Sequence, residues 1–339
     1  MRKLVVFLGG VCLVGVVIVS YIYWGIFQKK INIGEKESVF FYIKTSDRFQ
    51  DVIHNLNEQG IVSSGPFSWL ADLRSFGGKN IYPGRYTFTH EMTYSDLVVF
   101  LRSGQIDEIT ITFNNVRTLE QLAKKVGGQI EATEREIRDE LNNSSKYGYD
   151  KETFLSLFIP NTYKMFWNTT GEGFVKRMVK EHKKFWNKDR MKKAGKMNLT
   201  PVEVSTLASI VQSEQNKYSE EWPVIAGLYL NRLKKGIKLQ SDPTVVYAWG
   251  DFTMKRVYFK HLKINSKYNT YMYNGLPPGP IRVPESRVID AVLNYKKHSY
   301  LFMCAKPEFG GKHAFASTNA EHEKNARKYQ AWLNKKNIN

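Results

Sequence analysis

Glu214 is a carboxylate where a helix pattern calls for an apolar residue. Thr200-Pro201-Val202-Glu203 reads as a helix start: Thr200 can cap, Pro201 suits the first turn, and Glu203 can close a capping box. Val204, Leu207, Ala208 and Val211 then fall on one stripe. At about 100° per residue, Glu214 lies roughly 20° around from Leu207, on the same stripe and near the helix end. Two readings stay open. The helix reaches Glu214 and buries it, or it stops earlier and the side chain meets water. In the first case desolvation raises the carboxyl pKa and keeps the group protonated, the state a general acid requires.

Other polar residues sit where chemistry needs them. Asn231 shares a helical face with Val224, Gly227 and Leu228, and is read as either a satisfied core amide or a site residue. Gln240-Ser241-Asp242-Pro243-Thr244 follows, with Asp242 before a proline as a ready helix cap. Tyr273-Asn274-Gly275-Leu276-Pro277-Pro278-Gly279-Pro280 is too rich in Gly and Pro for a helix or a central strand, and suits the wall of a cleft. His313 and Phe315 follow the Gly310-Gly311 turn, and a lone His there reads as a hydrogen-bonded structural residue. Cys12 and Cys304 lie far apart, outside any metal-ligand spacing, and read as unpaired packing residues. No His/Cys/Asp cluster and no phosphate-binding glycine loop is present, so neither metal nor cofactor is expected.

The elements that must carry these residues form an α+β chain long enough for two domains and a tail, at about 150 residues per domain. Strand composition at 38–44 precedes helical spacing at 47–59 (Phe49, Val52, Ile53, Leu56) and at about 66–76, stopped by Gly77-Gly78. A strand at 86–88 and a helix at 93–103 complete a small module over 38–105. A larger mixed unit, 106–339, opens with alternation at 106–113 and helices at 118–126 and 133–141. Residues 173–193 read as one basic helix with Phe174, Met178 and Phe185 on its apolar edge. A further helix is expected at about 220–235.

Residues 1–30 form a stub and an anchor. The uncharged run Leu4–Phe27 reaches ~36 Å as a helix, against ~30 Å of bilayer hydrocarbon. Tyr21, Tyr23 and Trp24 gather at its end as interfacial aromatics do. The Tyr-Ile-Tyr-Trp-Gly-Ile-Phe ending makes a poor cleavage site, which favours an uncleaved anchor. Arg2 and Lys3 on one side nearly balance Lys29 and Lys30 on the other, so charge alone does not orient it. With 50 Lys and Arg against 32 Asp and Glu, the net charge of +18 calls for an acidic partner. If the bulk of the chain is outside the membrane, that partner is a lipid surface or a wall polymer rather than nucleic acid.

Four segments taken in order resemble the YceG-like family of endolytic murein transglycosylases. They are Leu207-Ala-Ser-Ile-Val-Gln-Ser-Glu214, Ile225-Ala-Gly-Leu-Tyr-Leu-Asn-Arg-Leu233, Leu239-Gln-Ser-Asp-Pro-Thr-Val-Val-Tyr247 and Asn274-Gly-Leu-Pro-Pro-Gly-Pro-Ile281. Phe158-Ile-Pro-Asn-Thr-Tyr163 and His313-Ala-Phe315 add to the match, which extends over nearly the whole chain. The resemblance implies a single-pass anchor in the inner (plasma) membrane, a LysM-like module over 38–105 and an extracytoplasmic (periplasmic) catalytic domain over 106–339. It implies a lyase that cuts the MurNAc–GlcNAc bond within nascent peptidoglycan strands, leaves 1,6-anhydro-MurNAc ends, ends strand elongation and works beside peptidoglycan synthases.

Relatives often carry a second Glu where this chain has Gln212, so Glu214 is the acid left to fill the catalytic role. Leu155-Ser-Leu-Phe-Ile-Pro-Asn161 lacks the acidic residues seen there in relatives. Asn231, Gln240, Ser241, Asp242 and Tyr163, with Tyr247, Asn274 and Phe315 from the matching segments, are expected to hold the glycan. Two alternatives stand beside this reading: a lysozyme-type muramidase with Asp242 as second carboxylate, and a non-catalytic, membrane-tethered glycan-binding scaffold.

Overall fold

A computed structural model describes residues 2–74, 76, 81–307 and 310–335, with side chains from residue 10 onward. The glycine stop expected at Gly77-Gly78 lies outside the described residues. The chain divides into two compact units: residues 1–111 with 129–132 and 163–169, and residues 112–128, 133–162 and 170–339.

The first unit opens with helix α1 (Arg2–Phe27), followed by β1 (Ser38–Ile43), α2 (Phe49–Glu58), α3 (Ser64–Leu73), β2 (Gly84–Thr89) and α4 (Tyr94–Ser103). The stretch Gly10–Phe27 of α1 has a mean hydropathy of 2.1 and is long and apolar enough to cross a membrane. β1 and β2 pair antiparallel, with Phe41 opposite Tyr86 and Ile43 opposite Gly84. Period-two alternation sends Phe41, Ile43, Tyr86 and Phe88 into the core, where the Phe41 and Phe88 rings stack 5.3 Å apart. The spacing of Phe49, Val52, Ile53 and Leu56 buries one face of α2 in the same core. Thr93 starts α4 with a capping box to Asp96, and Gly104 ends it in the left-handed region. Glu131 belongs to this unit through its carboxylate, which accepts from the Thr45 N–H and hydroxyl, both at 2.7 Å.

After β3 (Glu108–Phe113) come α5 (Leu119–Gly127), α6 (Glu134–Leu141), β4 (Asn161–Phe166), α7 (Gly171–Phe185), α8 (Lys188–Lys196), α9 (Pro201–Glu214), α10 (Trp222–Lys234), α11 (Asp242–Trp249), α12 (Ser286–Leu293), β5 (Phe302–Ala305), β6 (His313–Ala316) and α13 (Asn319–Lys335). The sheets among described residues are two-stranded: β1–β2, β3–β4 and β5–β6. The chain is therefore mixed α+β.

Two expectations need correction. Residues 173–193 form two helices, because Trp186 turns into the core and Asn187 starts a new helix by accepting from the Arg190 N–H at 3.0 Å. Arg190 fixes the break, lying over the Phe185 ring and pairing both guanidinium arms with Asp290 of α12 at 2.7 and 2.9 Å. The cap of α11 is Ser241 rather than Asp242, and the Ser241 hydroxyl makes no capping bond, being used elsewhere.

The core of the second unit is built from α9, α10 and α12. α9 is buried on every side from Val204 to Gln212, so its polar side chains must find partners inside. Ser209 Oγ accepts from the Ile281 N–H at 3.0 Å. Gln212 and Glu285 exchange two hydrogen bonds at 2.9 Å. These bonds fix the residues that follow the Gly/Pro-rich loop. The loop itself packs so closely that a Cβ on Gly279 would lie 1.9 Å from the Glu152 carbonyl oxygen. Gly279→Ala is therefore expected to cost about 1–3 kcal/mol of unfolding free energy, read from the denaturant midpoint. An unchanged midpoint would mean that the loop yields freely.

Candidate active site

α9 ends at Glu214 because Gln215 leaves helical geometry and turns inward. The Gln215 amide donates to Glu221 and to the Gly311 carbonyl, both at 2.8 Å, and its oxygen accepts from the Lys217 and Tyr218 N–H groups. Glu221 in turn accepts from the His313 N–H at 3.0 Å and lies 2.8 Å from His313 Nδ1. The helix end is thereby locked to the start of β6.

Glu214 is half-buried and lines a cavity of about 350 Å³. Its Oε1 accepts from Tyr229 Oη of α10 at 2.8 Å and from Ser241 Oγ. Oε2 makes no hydrogen bond among the described residues. The carboxyl keeps a path to solvent through the cavity, yet enough protein surrounds it to push its pKa up. Burial is the main cause; the Ser241 and Tyr229 hydroxyls pull the other way, and the Asp242 charge adds to the rise. Because Oε1 already serves two donors, a proton on this group belongs on Oε2. Burial, then the Glu214 charge, also drives the Tyr229 phenol well above its ordinary value, so it stays a donor.

The Ser241 hydroxyl is aimed by its backbone. Gln240 holds the left-handed region at φ 53°, a conformation that costs a residue with a Cβ about 1–3 kcal/mol and that clusters at functional sites. The turn is held by Thr270, whose carbonyl and hydroxyl accept the Gln240 and Ser241 N–H groups at 3.1 and 3.0 Å. Tyr271 then donates to Asp242 Oδ1 at 2.6 Å. Buried Arg232 closes the cavity floor, donating to the Lys238 and Leu301 carbonyls at 2.8 Å and to Gln240 Oε1.

Of the residues expected from sequence, Glu214, Gln240 and Asp242 line this cavity and Ser241 bonds Glu214 directly. Tyr247 lines a neighbouring cavity of about 490 Å³ that shares Asp242. Asn231 does not line the first cavity. Its amide donates to the His298 and Tyr300 carbonyls at 2.8 and 3.1 Å, and Gly227 on the same face meets the Lys296 carbonyl. That face anchors the 296–300 segment, which makes Asn231 a satisfied core amide. Asn274 is exposed and Phe315 stacks on Tyr300 at 5.6 Å; neither lines the two cavities. Tyr163 is buried on β4, in the first unit. His313 has the expected hydrogen-bonding role but also lines the Glu214 cavity, as does Cys304. Cys304 is therefore not only a packing residue.

Sequence reasoning missed Tyr229, Arg232 and Tyr271. α10 is buried from Ile225 to Leu230, so periodicity does not say which residue faces a cavity. The available signal was chemical: a Tyr and an Arg in a helix that is mostly apolar from Trp222 to Leu233. Among the described residues no three His, Cys, Asp or Glu side chains gather as metal ligands.

The titration of Glu214 tests this geometry. Tyr229→Phe and Ser241→Ala each remove a bond that favours the carboxylate, so each is expected to move the Glu214 midpoint to higher pH. Asp242→Asn removes a repulsive charge and is expected to move it lower. Carbon-13 NMR of the side-chain carboxyl reads all three, and a downward shift in Ser241→Ala would contradict the bonding described.

Residues 41–328 match the model of the YceG-like family. An endolytic murein transglycosylase of Bacillus subtilis is 36% identical over 171 residues, covering 50% of this chain and 46% of that protein. One of Streptococcus pneumoniae serotype 2 is 27% identical over 87% of this chain and 59% of its own length. The chain thus spans about half the length of these curated relatives. A crystal structure of a yceG-like protein from Listeria monocytogenes superposes with a TM-score of 0.53 at 25% identity, covering 86% of this chain and 99% of that one. With its matching region running from β1 into α13, the chain belongs to the YceG-like family.

Proposed function

We propose that this chain is an endolytic peptidoglycan lytic transglycosylase, anchored by α1 in the plasma membrane with the chain after α1 outside the cytoplasm. The observation that carries the reading is the setting of Glu214: one carboxyl, held by two hydroxyls on Oε1, without a hydrogen bond on Oε2 among the described residues, its pKa raised by burial, and open to a cavity. The names of the Bacillus and Streptococcus relatives support the substrate class.

In this reaction one carboxyl acts twice. Glu214 protonates the glycosidic oxygen between MurNAc and GlcNAc as that bond breaks. The carboxylate then takes the proton from the C6 hydroxyl of the same muramic ring, whose oxygen closes on C1 to leave a 1,6-anhydro end. No water is consumed and no second carboxylate is needed. The hydroxyls of Tyr229 and Ser241 stabilise the carboxylate between the two transfers. Gln240, Ser241 and Asp242 flank the sugar. The antiparallel β1–β2 pair packed with α2 and α3 supports a LysM-like, glycan-binding role for 38–105, with 106–339 as the catalytic domain. Cutting within nascent strands would end their elongation and would place the enzyme beside peptidoglycan synthases.

Asp242 supplies the one observation that favours a second reading, hydrolysis. It borders the same cavity and its charge acts on Glu214, so it could activate a water.

Digestion of purified peptidoglycan, with mass analysis of the ends, tests the proposal. Anhydro ends support the lyase, and reducing ends assign the hydrolase. Glu214→Gln is expected to lower strand cutting by at least ~10²–10⁴-fold; normal cutting by that variant would remove Glu214 from the catalytic role, and native protein that cuts no strand would leave only a tethered binding scaffold. A raised carboxyl pKa extends the acid form to higher pH than an ordinary glutamate keeps, so the rate is expected to fall as pH rises through that raised value. Asp242→Asn should shift that alkaline limb to lower pH, measured as kcat against pH.

A further inference from the structure

The larger cavity, about 490 Å³, adjoins the Glu214 cavity through Asp242 and carries Ser213, the residue before Glu214, on its wall. Its chemistry is unlike that of its neighbour. Arg117, Lys255, Arg256 and Arg282 all line it, and none forms an ion pair among the described residues. Asp242 is its one acidic lining residue, and Oδ1 of that carboxylate already accepts from Tyr271.

Arg282 is the fixed point. It is 4% exposed, and its terminal nitrogens donate to Asn216 at 3.1 Å and to Asn115. Its Nε is buried without a hydrogen-bond partner among the described residues. Asn115 holds the left-handed region at φ 54°, so the backbone is bent to supply one of these contacts. Neutral amides thus hold a buried cation that a protein usually pairs with a carboxylate. The opposite charge that acts on Arg282 is Glu285, whose oxygens are already taken by Gln212 and Arg287. Arg117 is also preset, its guanidinium lying over the Phe252 ring at 4.9 Å and donating to the Phe252 carbonyl at 3.4 Å. Lys255 and Arg256 are exposed at the rim. Two positioned guanidiniums and two exposed cations face one carboxylate, Asp242, and form a receptor for an oxyanion brought by the ligand.

We propose that this cavity binds a carboxylate of the peptide carried by the muramic acid at the cleavage point. The proposal rests on the transglycosylase reading above and extends it to how the strand is aligned. The peptide hangs from the same sugar whose C1 bond is cut, so its carboxylates are the anions nearest an internal scissile bond. A polyprenyl pyrophosphate sits on the terminal sugar, away from an internal cut. Holding the stem beside Glu214 fixes the register of the strand, so that the muramic side of each linkage meets the acid.

The test uses full-length protein in detergent carrying Glu214→Gln, so that binding is read without cutting. Three ligands are compared: strands with their peptides, strands stripped by an amidase, and stripped strands that keep a polyprenyl pyrophosphate end. Peptide-bearing strands are expected to bind on the order of tenfold more tightly than stripped ones, with the preference falling as salt rises. Adding Arg117→Gln and Arg256→Gln should bring the ratio close to one, with thermal unfolding confirming that the variant is folded. An equal affinity of the unaltered cavity for both strands, or a preference that survives loss of the two cations, overturns the proposal. A preference that follows the pyrophosphate overturns the stem assignment. If native protein cuts no strand, the enzyme reading fails instead, and this binding ratio still decides the cavity's ligand.

Discussion

A carboxyl group at the end of a helix buried on all sides must either find donors or keep its proton. Glu214 finds two donors while burial raises its pKa, and the rest of the second unit follows from that constraint. Tyr229 and Ser241 reach its Oε1 from two other segments, α10 and the turn before α11. Neither hydroxyl can be there unless α9, α10 and the 240–271 region are packed together. The balance is electrostatic: burial and Asp242 favour the neutral acid, while the two hydroxyls favour the anion. A group poised between those influences can give a proton and take one back.

The supporting bonds are long-range and made inside the core. Ser209 holds the chain after the Gly/Pro loop, Gln212 pairs with Glu285, and Gln215 ties the helix end to Glu221 and through it to His313. Ser209 and Gln212 lie on α9 and Gln215 is the residue that ends it. Each is satisfied by a partner from a different part of the chain, as a buried polar network must be if it is not to destabilise the fold. The strained backbone at Gln240 is held in the same way, by two bonds to Thr270.

Charge is distributed with equal purpose. The excess of Lys and Arg is largely a solvated surface, as on α7, where Lys176, Lys180, Lys183 and Lys184 are exposed. A small part of it is not surface at all. Arg232 and Arg282 are buried without a carboxylate, held by carbonyls or amides, and each lines one of the two adjoining cavities. Exposed cations suit a negatively charged polymer or lipid surface at long range, while the buried ones set the local chemistry.

Much of this was legible in the sequence, because local rules act over a few residues. The Thr200 cap, the buried face of α2, the strands β1 and β2, the apolar α1 and the absence of helix or strand at 273–280 all follow from neighbouring residue types. So did the anomaly at Glu214, since a carboxylate on an apolar stripe is visible from spacing alone. What spacing could not supply was direction in three dimensions. α9 is buried from Val204 to Gln212 and α10 from Ile225 to Leu230, so no helical period distinguishes Tyr229, which meets the carboxyl, from Asn231, which anchors a distant segment. Local preference also misled where a longer-range demand was stronger. Ser241 gives up a capping bond because Glu214 needs its hydroxyl, and the basic helix breaks at Trp186 because the indole packs into the core. The sequence by itself determined which elements form and that one acid is out of place. Only the tertiary structure decided which hydroxyls hold that acid and which cations face the cavity beside it, because those contacts join residues far apart in the chain and depend on how the helices pack.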